Sequence, residues 1–389
     1  RHLGASAVGA LLPCGQWTKQ QVSTRASCCM TTLEVLQRRK LAIIRAYSKS
    51  NDAIGLIQSA TTLVPLAVLC FAAAWGLQHD LRATVAAAVG ITLLLLRVFS
   101  LMHECGHGAL FASRSLNRGF GFLFGVISGM PQYVWSQHHE YHHRHNGNWE
   151  KYRGPLSTLS TYEYAALSPA QQKRYRRMRH LAFAPLAGFV YLIVNPRVNW
   201  FKGNLSLLLH VVQGRSPAQF QTRYWKTWRE YRHMTANNIV LISAWVALSS
   251  LVGIGSFFAI YLSTLSIAGG VAILLFTVQH NFDQSYAAPT ATWSYDRGAL
   301  HGTSFLVLPG WMNWCTANIG YHHVHHLSSS IPNYRLVECH RANADMFVDV
   351  PRITLAQVPA AVSCILWDPD SERIISFSEY ERTAGALRA

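Results

Sequence analysis

Charge is scarce in this chain, and negative charge scarcer still. Only 13% of the 389 residues are charged, with 18 Asp and Glu against 34 Lys and Arg, where ordinary soluble domains carry roughly a quarter. Half the residues are apolar and the mean hydropathy is positive, which excludes an ordinary soluble domain. The eight cysteines never form a C-x-x-C pair. That argues against a thiolate metal site or a disulfide framework, and for free thiols in a reducing compartment. The basic excess is not gathered on one recognition helix; it flanks apolar runs, as the positive-inside rule predicts for cytoplasmic loops. No nucleic-acid partner is expected.

Residues 1–29 hold Ser, Thr and Arg but no acidic residue. They read either as an organelle transit segment or as a non-native upstream extension before Met30. The second is expected, since no long amphipathic or apolar stretch is present. Residues 30–389 then form one domain. Apolar runs at about 57–77, 83–102, 239–262 and 265–280 match the ~20 residues that cross a bilayer. They pair into hairpins, broken at 78–82 and at 261–264. Arg97, inside the second run, is expected to face protein or snorkel. Shorter apolar pieces at 119–134 and 181–194 read as interfacial or re-entrant. Between them runs a basic segment, 173–179, suited to lipid headgroups or an acidic partner. The expected fold is an all-α integral membrane protein of four transmembrane helices, with interfacial helices and a cytoplasmic cap. Four crossings place every histidine cluster on one membrane face.

Those clusters dominate the reading. His139, His142 and His143 spell H-x-x-H-H, His322, His325 and His326 repeat it, and His103 and His107 form a further i,i+4 pair. Positions i, i+3 and i+4 share a helix face, so each triplet is expected to converge on one point. Protonated neighbours would repel, whereas a metal binds neutral imidazole and relieves the conflict. With His280 at the end of the fourth run, nine histidines are too many for one four-coordinate zinc and enough for two metals. Oxygen chemistry at open positions favours iron over zinc. His138 competes with His139, and His323 with His322, for the same register. The remaining histidines have no partners at ligand spacing, or read as surface groups. Two other readings stay open on these residues. H-E-C-G-H at 103–107 also fits the zinc-protease pattern H-E-x-x-H, although such a protease needs no further triplets. A non-catalytic metal-binding membrane protein is the other; a transporter would place its ligands near the bilayer midplane.

The motifs H-E-C-G-H at 103–107, W-S-Q-H-H-E-Y-H-H at 135–143 and N-I-G-Y-H-H-V-H-H at 318–326 resemble the three histidine boxes of the membrane fatty-acid desaturases. The likeness continues through N-G-N-W-E-K-Y-R-G-P at 146–155 and V-Q-H-N-F-D at 278–283, and covers roughly residues 33–380. It is similar to the bacterial acyl-lipid omega-6 or delta-12 type. The resemblance implies a non-haem di-iron enzyme that uses O2 and two electrons to desaturate a membrane-lipid acyl chain. His103, His107, His139, His142, His143, His280, His322, His325 and His326 would hold the irons. Electrons would come from a small acidic carrier, a ferredoxin or a b-type cytochrome. The nearest rival within this chemistry is a lipid, carotenoid or alkane hydroxylase or ketolase. Glu104, Asp283 and Asn318 are candidates to stand behind the ligands. An Asn that positions a metal-bound water in delta-9 relatives is replaced by Phe276. Phe120, Phe122, Phe124, Tyr133 and Trp135 are candidate tunnel lining. The implied membrane is the bacterial inner membrane, or a plastid or endoplasmic-reticulum membrane if 1–29 is a transit segment.

Overall fold

The computed structural model describes residues 32–386 except 155; the expectation for 1–29 lies outside the described residues. After α1 (Thr32–Tyr47), two long helices form the first hairpin, α2 (Asp52–His79) and α3 (Leu81–His107). Asn51 caps α2 by accepting from the Ile54 amide, and Asp80 alone links the two helices, accepting from the Arg82 amide at 2.9 Å. The turn can be this tight because Gly76 lies directly against Thr84, where a Cβ would meet the hydroxyl at 2.6 Å. The expected break at 78–82 is therefore where the chain turns.

Helices α4 (Arg114–Ile127) and α5 (Gln132–His145) follow, then α6 (Thr161–Ala165) and α7 (Pro169–Arg177). A composite helix, α8 (Leu181–Val212), has a π-helical turn at Val190–Val194. The second hairpin consists of α9 (Trp228–Val252) and α10 (Ile254–Val278). Its turn is at Gly253, not at 261–264 as the hydropathy suggested. Gly253 takes φ +86°, a conformation glycine adopts without steric cost. Ser263 and Thr264 stay helical because their hydroxyls bond back to the Ala259 and Ile260 carbonyls.

Five helices, rather than four, are long and apolar enough to cross a membrane: α2, α3, α8, α9 and α10. The additional one is α8, which continues well past the short piece expected at 181–194. Its contacts show a different path from the other four. Gly188 packs backbone to backbone against Gly270 of α10, Arg197 Nε donates to Asn238 at 2.9 Å, and Asn204 accepts from Tyr231 in the first turn of α9. Leu181 packs beside Met312 and Val358. Both parts thus return to the end of the bundle where α3 and α10 finish, and the four hairpin helices run its full length. Arg97 faces protein: it donates to Thr62 at 2.9 Å and to the Trp314 carbonyl, with its guanidinium over the Trp314 ring.

The rest of the chain caps that end. It comprises α11 (Tyr295–His301), α12 (Gly310–Cys315), α13 (His322–Leu327), α14 (Asn333–Ala342), α15 (Val358–Val362) and α16 (Phe377–Ala386). Two small sheets add to the expected all-helical cap. In one, β1 (Leu159–Ser160) lies parallel to β4 (Cys364–Asp368), which pairs antiparallel with β5 (Arg373–Ser376). In the other, β2 (Phe305–Val307) runs parallel to β3 (Arg352–Thr354). One apolar core is centred on α3, with Leu101, Met102, Leu110 and Phe111 fully enclosed; a second, around Val324, Leu327 and Leu336, seats α13 beneath α1. The cysteines among the described residues are free thiols.

Candidate metal centre

Four pieces of chain carry histidine to one place. His103 and His107 stand in the last turns of α3, which Gly108 ends at φ +70°. His139, His142 and His143 lie on α5, His280 just past α10, and His322, His325 and His326 on the six-residue α13. Ahead of α13, Ala317 and Asn318 both adopt positive φ, 49° and 59°, an unusual pair that swings the short helix back over the bundle. The side chains of eight of the nine are buried, and His107 is partly so.

The nine fall into two groups. One holds His103, His107, His139, His143 and His325; the other holds His142, His280, His322 and His326, and in each the ligand-capable atoms lie within 4.8 Å of one another. Neither H-x-x-H-H triplet converges on one point, contrary to expectation. At about 100° per residue, i and i+4 point some 40° apart while i+3 lies about 60° to the other side. So α5 sends His139 and His143 to the five-membered group and His142 to the other, while α13 sends His322 and His326 to the four-membered group and His325 across.

Ring nitrogens approach closely within each group. The Nε2 of His143 is 3.0 Å from the Nε2 atoms of both His139 and His325; the His280–His322 contact is 2.9 Å and His142–His326 is 3.1 Å. A neutral imidazole has one N–H and one lone pair, so protons alone satisfy such a knot poorly. Burial drives the His139, His142, His143, His322, His325 and His326 pKa values well below the usual value, and neighbouring rings push further the same way. Burial brings His280 down to about 4 against a weaker opposing pull from the Gly302 carbonyl. Near neutral pH these rings are uncharged and offer lone pairs. His107 Nε2 is buried without a protein partner. Each group is a donor set that could hold a cation, and imidazole suits iron, zinc and copper alike.

The groups behind the rings partly match expectation. Glu104 faces His103 Nδ1 at 3.1 Å and accepts from the Asn333 amide at 2.9 Å, holding the ring so that Nε2 points into the group. Asp283 does not support His280. It is exposed beside Arg373 at 3.7 Å, and His280 Nδ1 instead meets the Gly302 carbonyl at 3.1 Å, because the chain turns outward after α10. Asn318 also lies off the metal groups: its amide donates to the Asn333 carbonyl, so it reaches Glu104 only through that segment. His138 is exposed and His323 pairs with His340 at 2.8 Å, which leaves His139 and His322 in the groups.

A cavity of about 940 Å³ opens beside both groups, with His103, His139, His142 and His322 in its wall. Its remaining lining is mainly apolar and comes largely from α3, α8 and α10, including Phe99, Phe183, Leu186, Val190 and Ile273, with α7 adding a basic stretch. Of the aromatics expected to line it, only Trp135 does, stacked on His139 at 4.5 Å. Phe120 and Phe124 pack into the α3 core, Phe122 is outside the lining, and Tyr133 stacks on His233. Phe276 is the residue that pattern reading undervalued. It lines the cavity 5.1 Å from both His142 and His280, ring centre to centre. The signal was its place one helical turn before His280.

A profile of the Fatty acid desaturase family matches residues 81–354, the stretch holding all nine histidines. The chain belongs to the fatty acid desaturase family. It is 30% identical to a fatty acid desaturase of Bacillus subtilis, over 89% of this chain and 92% of the relative. It is 24% identical to a delta(12)-fatty-acid desaturase of Arabidopsis thaliana over 72% of each, and 28% identical to a chloroplastic omega-3 fatty acid desaturase of Glycine max over 64% of this chain and 52% of the relative. This desaturase is thus a membrane oxidoreductase acting on fatty acyl chains. Its apolar cavity ending at two histidine groups is what that substrate requires. The comparisons lend no support to a protease, a transporter or a hydroxylase.

Proposed function

We propose that the desaturase introduces a double bond into an acyl chain of a membrane lipid, with one iron in each histidine group and O2 as co-substrate. The acyl segment –CH2–CH2–, O2, two electrons and two protons yield –CH=CH– and two waters. An unactivated C–H bond gives a side chain no acid, base or leaving group to act on, so bound iron supplies the redox chemistry with O2. The nine histidines would hold the two ions. The chain's own work is placement: the apolar cavity aligns the acyl chain and Phe276 limits its approach to the rings. Glu104 and the Gly302 carbonyl fix His103 and His280 by their far nitrogens.

The histidine end is assigned to the cytoplasmic side, because basic residues gather there, including Arg38, Arg39 and Lys40 of α1 and Lys173 to Arg179. Electrons would arrive there from a small acidic carrier, a ferredoxin or a b-type cytochrome, steered by opposite charge. The observation that carries the reading is the junction of a largely apolar cavity with two adjoining groups of neutral imidazoles. Metal analysis of the purified chain should find two irons. Expression in a host without polyunsaturated lipids, followed by mass-spectrometric mapping, should find a new olefin and its position. A new C–O bond, or zinc with no O2 uptake, would overturn the assignment.

A further inference from the structure

The cavity wall also carries positive charge. Lys173, Arg174 and Arg177 of α7 line it together with the histidines and the apolar wall. Spaced i, i+1 and i+4, they share one side of the helix. The segment carries two more cations, and those are already engaged: Arg176 pairs with Glu381 at 2.6 Å, and Arg179 donates to the Leu156 carbonyl at 2.6 Å. Among the described residues no carboxylate pairs with the three that face the cavity, and all three are exposed. The helix itself is well fixed. Ser168 and Gln171 form a capping box at its start, and buried Tyr175 donates to the Ile365 carbonyl at 2.8 Å.

A ligand that fills this space must be apolar along its length and anionic at one end. An acidic protein satisfies the second condition but cannot enter the cavity. Leu186, Val190 and Tyr191 of α8 line the cavity and keep accessible surface. They belong to a helix apolar enough for membrane, so the wall beside the cations is compatible with lipid. That favours a ligand arriving from the bilayer over one delivered from water.

We propose that Lys173, Arg174 and Arg177 grip the phosphodiester of a glycerophospholipid while one of its acyl chains runs down the cavity to the histidine groups. This rests on the acyl-lipid reading above and narrows it to phosphate-bearing lipids. Guanidinium and ammonium donors match phosphate oxygens well. Because the grip acts on the headgroup rather than on the reacting carbons, it affects substrate capture and how deep the chain sits.

The test uses the full chain with its metal in alkyl-maltoside micelles, which contain no phosphate. Three substrates with the same labelled acyl chain are compared: phosphatidylglycerol, diacylglycerol and acyl-CoA. The triple variant Lys173→Gln/Arg174→Gln/Arg177→Gln should raise KM for phosphatidylglycerol by about tenfold or more, at up to roughly fivefold per cation near an anionic headgroup. KM for diacylglycerol should change less than about twofold on the same scale. Native mass spectrometry should show retained phosphatidylglycerol on the parent chain and its loss on the variant, independently of turnover. Arg174→Lys/Arg177→Lys keeps the charges and should restore most of the capture. Single Gln variants should give graded losses, which keeps the test readable if the triple variant does not fold. Equal effects on phosphatidylglycerol and diacylglycerol, or an effect on acyl-CoA alone, would overturn the proposal. A chain that desaturates none of the three would instead count against the function itself.

Discussion

The two H-x-x-H-H segments are spelled alike and divide in opposite directions. On α5 the i,i+4 pair His139 and His143 joins the five-membered group, and His142 leaves it. On α13 the i,i+4 pair His322 and His326 joins the four-membered group, and His325 leaves it. Each helix therefore serves both sites and holds them side by side; the His143 and His326 rings stack at 4.2 Å. The supports differ as well. The α5 segment is a 14-residue helix with one exposed side, whereas α13 has six residues, all buried, after two left-handed positions. A short helix of that kind is held by packing and ligation rather than by its own propensity. A histidine motif thus points to metal binding, while the helix's orientation decides which ring faces which group.

The strongest way to break this comparison is to remove one ring from each group. His142→Ala leaves three ligands in its group and His143→Ala leaves four. Both should abolish desaturation, with a loss exceeding the roughly 10–100-fold typical of an outer partner. Iron analysis should show His142→Ala nearer to one metal per chain than His143→Ala. Equal retention would mean the groups are not separate sites.

Acid is expected to act next most strongly. The folded rings hold protons less readily than the unfolded chain, so below the ordinary histidine pKa of about 6.5 the unfolded state binds more protons. Stability of the metal-free chain should be whole above that pH and fall steadily on acidification, for His280 until about 4. Metal binding should weaken over the same window, because protons compete for the ligand atoms. Thermal melts of chelated protein from pH 7.5 downward would check this, and a flat profile would refute it.

Glu104→Gln distinguishes the groups more gently. It weakens the hold on His103 alone, so affinity in the five-membered group should fall about 10–100-fold with the other group unaffected; competitive chelator titration reads both. Phe276→Leu should keep both metals and spread the double bond over neighbouring positions, seen by mass-spectrometric mapping. The smallest effect is expected at Asp283, where Asp283→Asn should leave metal content and product unchanged, since that side chain is exposed beside Arg373.

The sequence alone determined the class of the protein and the roster of its candidate ligands. Apolar runs report membrane helices because hydrocarbon selects composition one residue at a time, and i,i+3,i+4 histidines report a metal because few other forces keep neutral imidazoles crowded. Tertiary structure alone decided the rest. The turn at Gly253 rather than at 261–264 depended on hydroxyls that satisfy themselves within a helix. The 181–194 piece became half of a longer helix because Gly188 and Gly270 let two backbones touch. The replacement of Asp283 by the Gly302 carbonyl, the pairing of His323 with His340, and the lining of one cavity by cations from α7 and histidines from α3, α5 and α13 all bring together residues from separate elements. Such pairings depend on how helices rotate and cross, and that is set by the packing of many side chains together rather than by any local pattern.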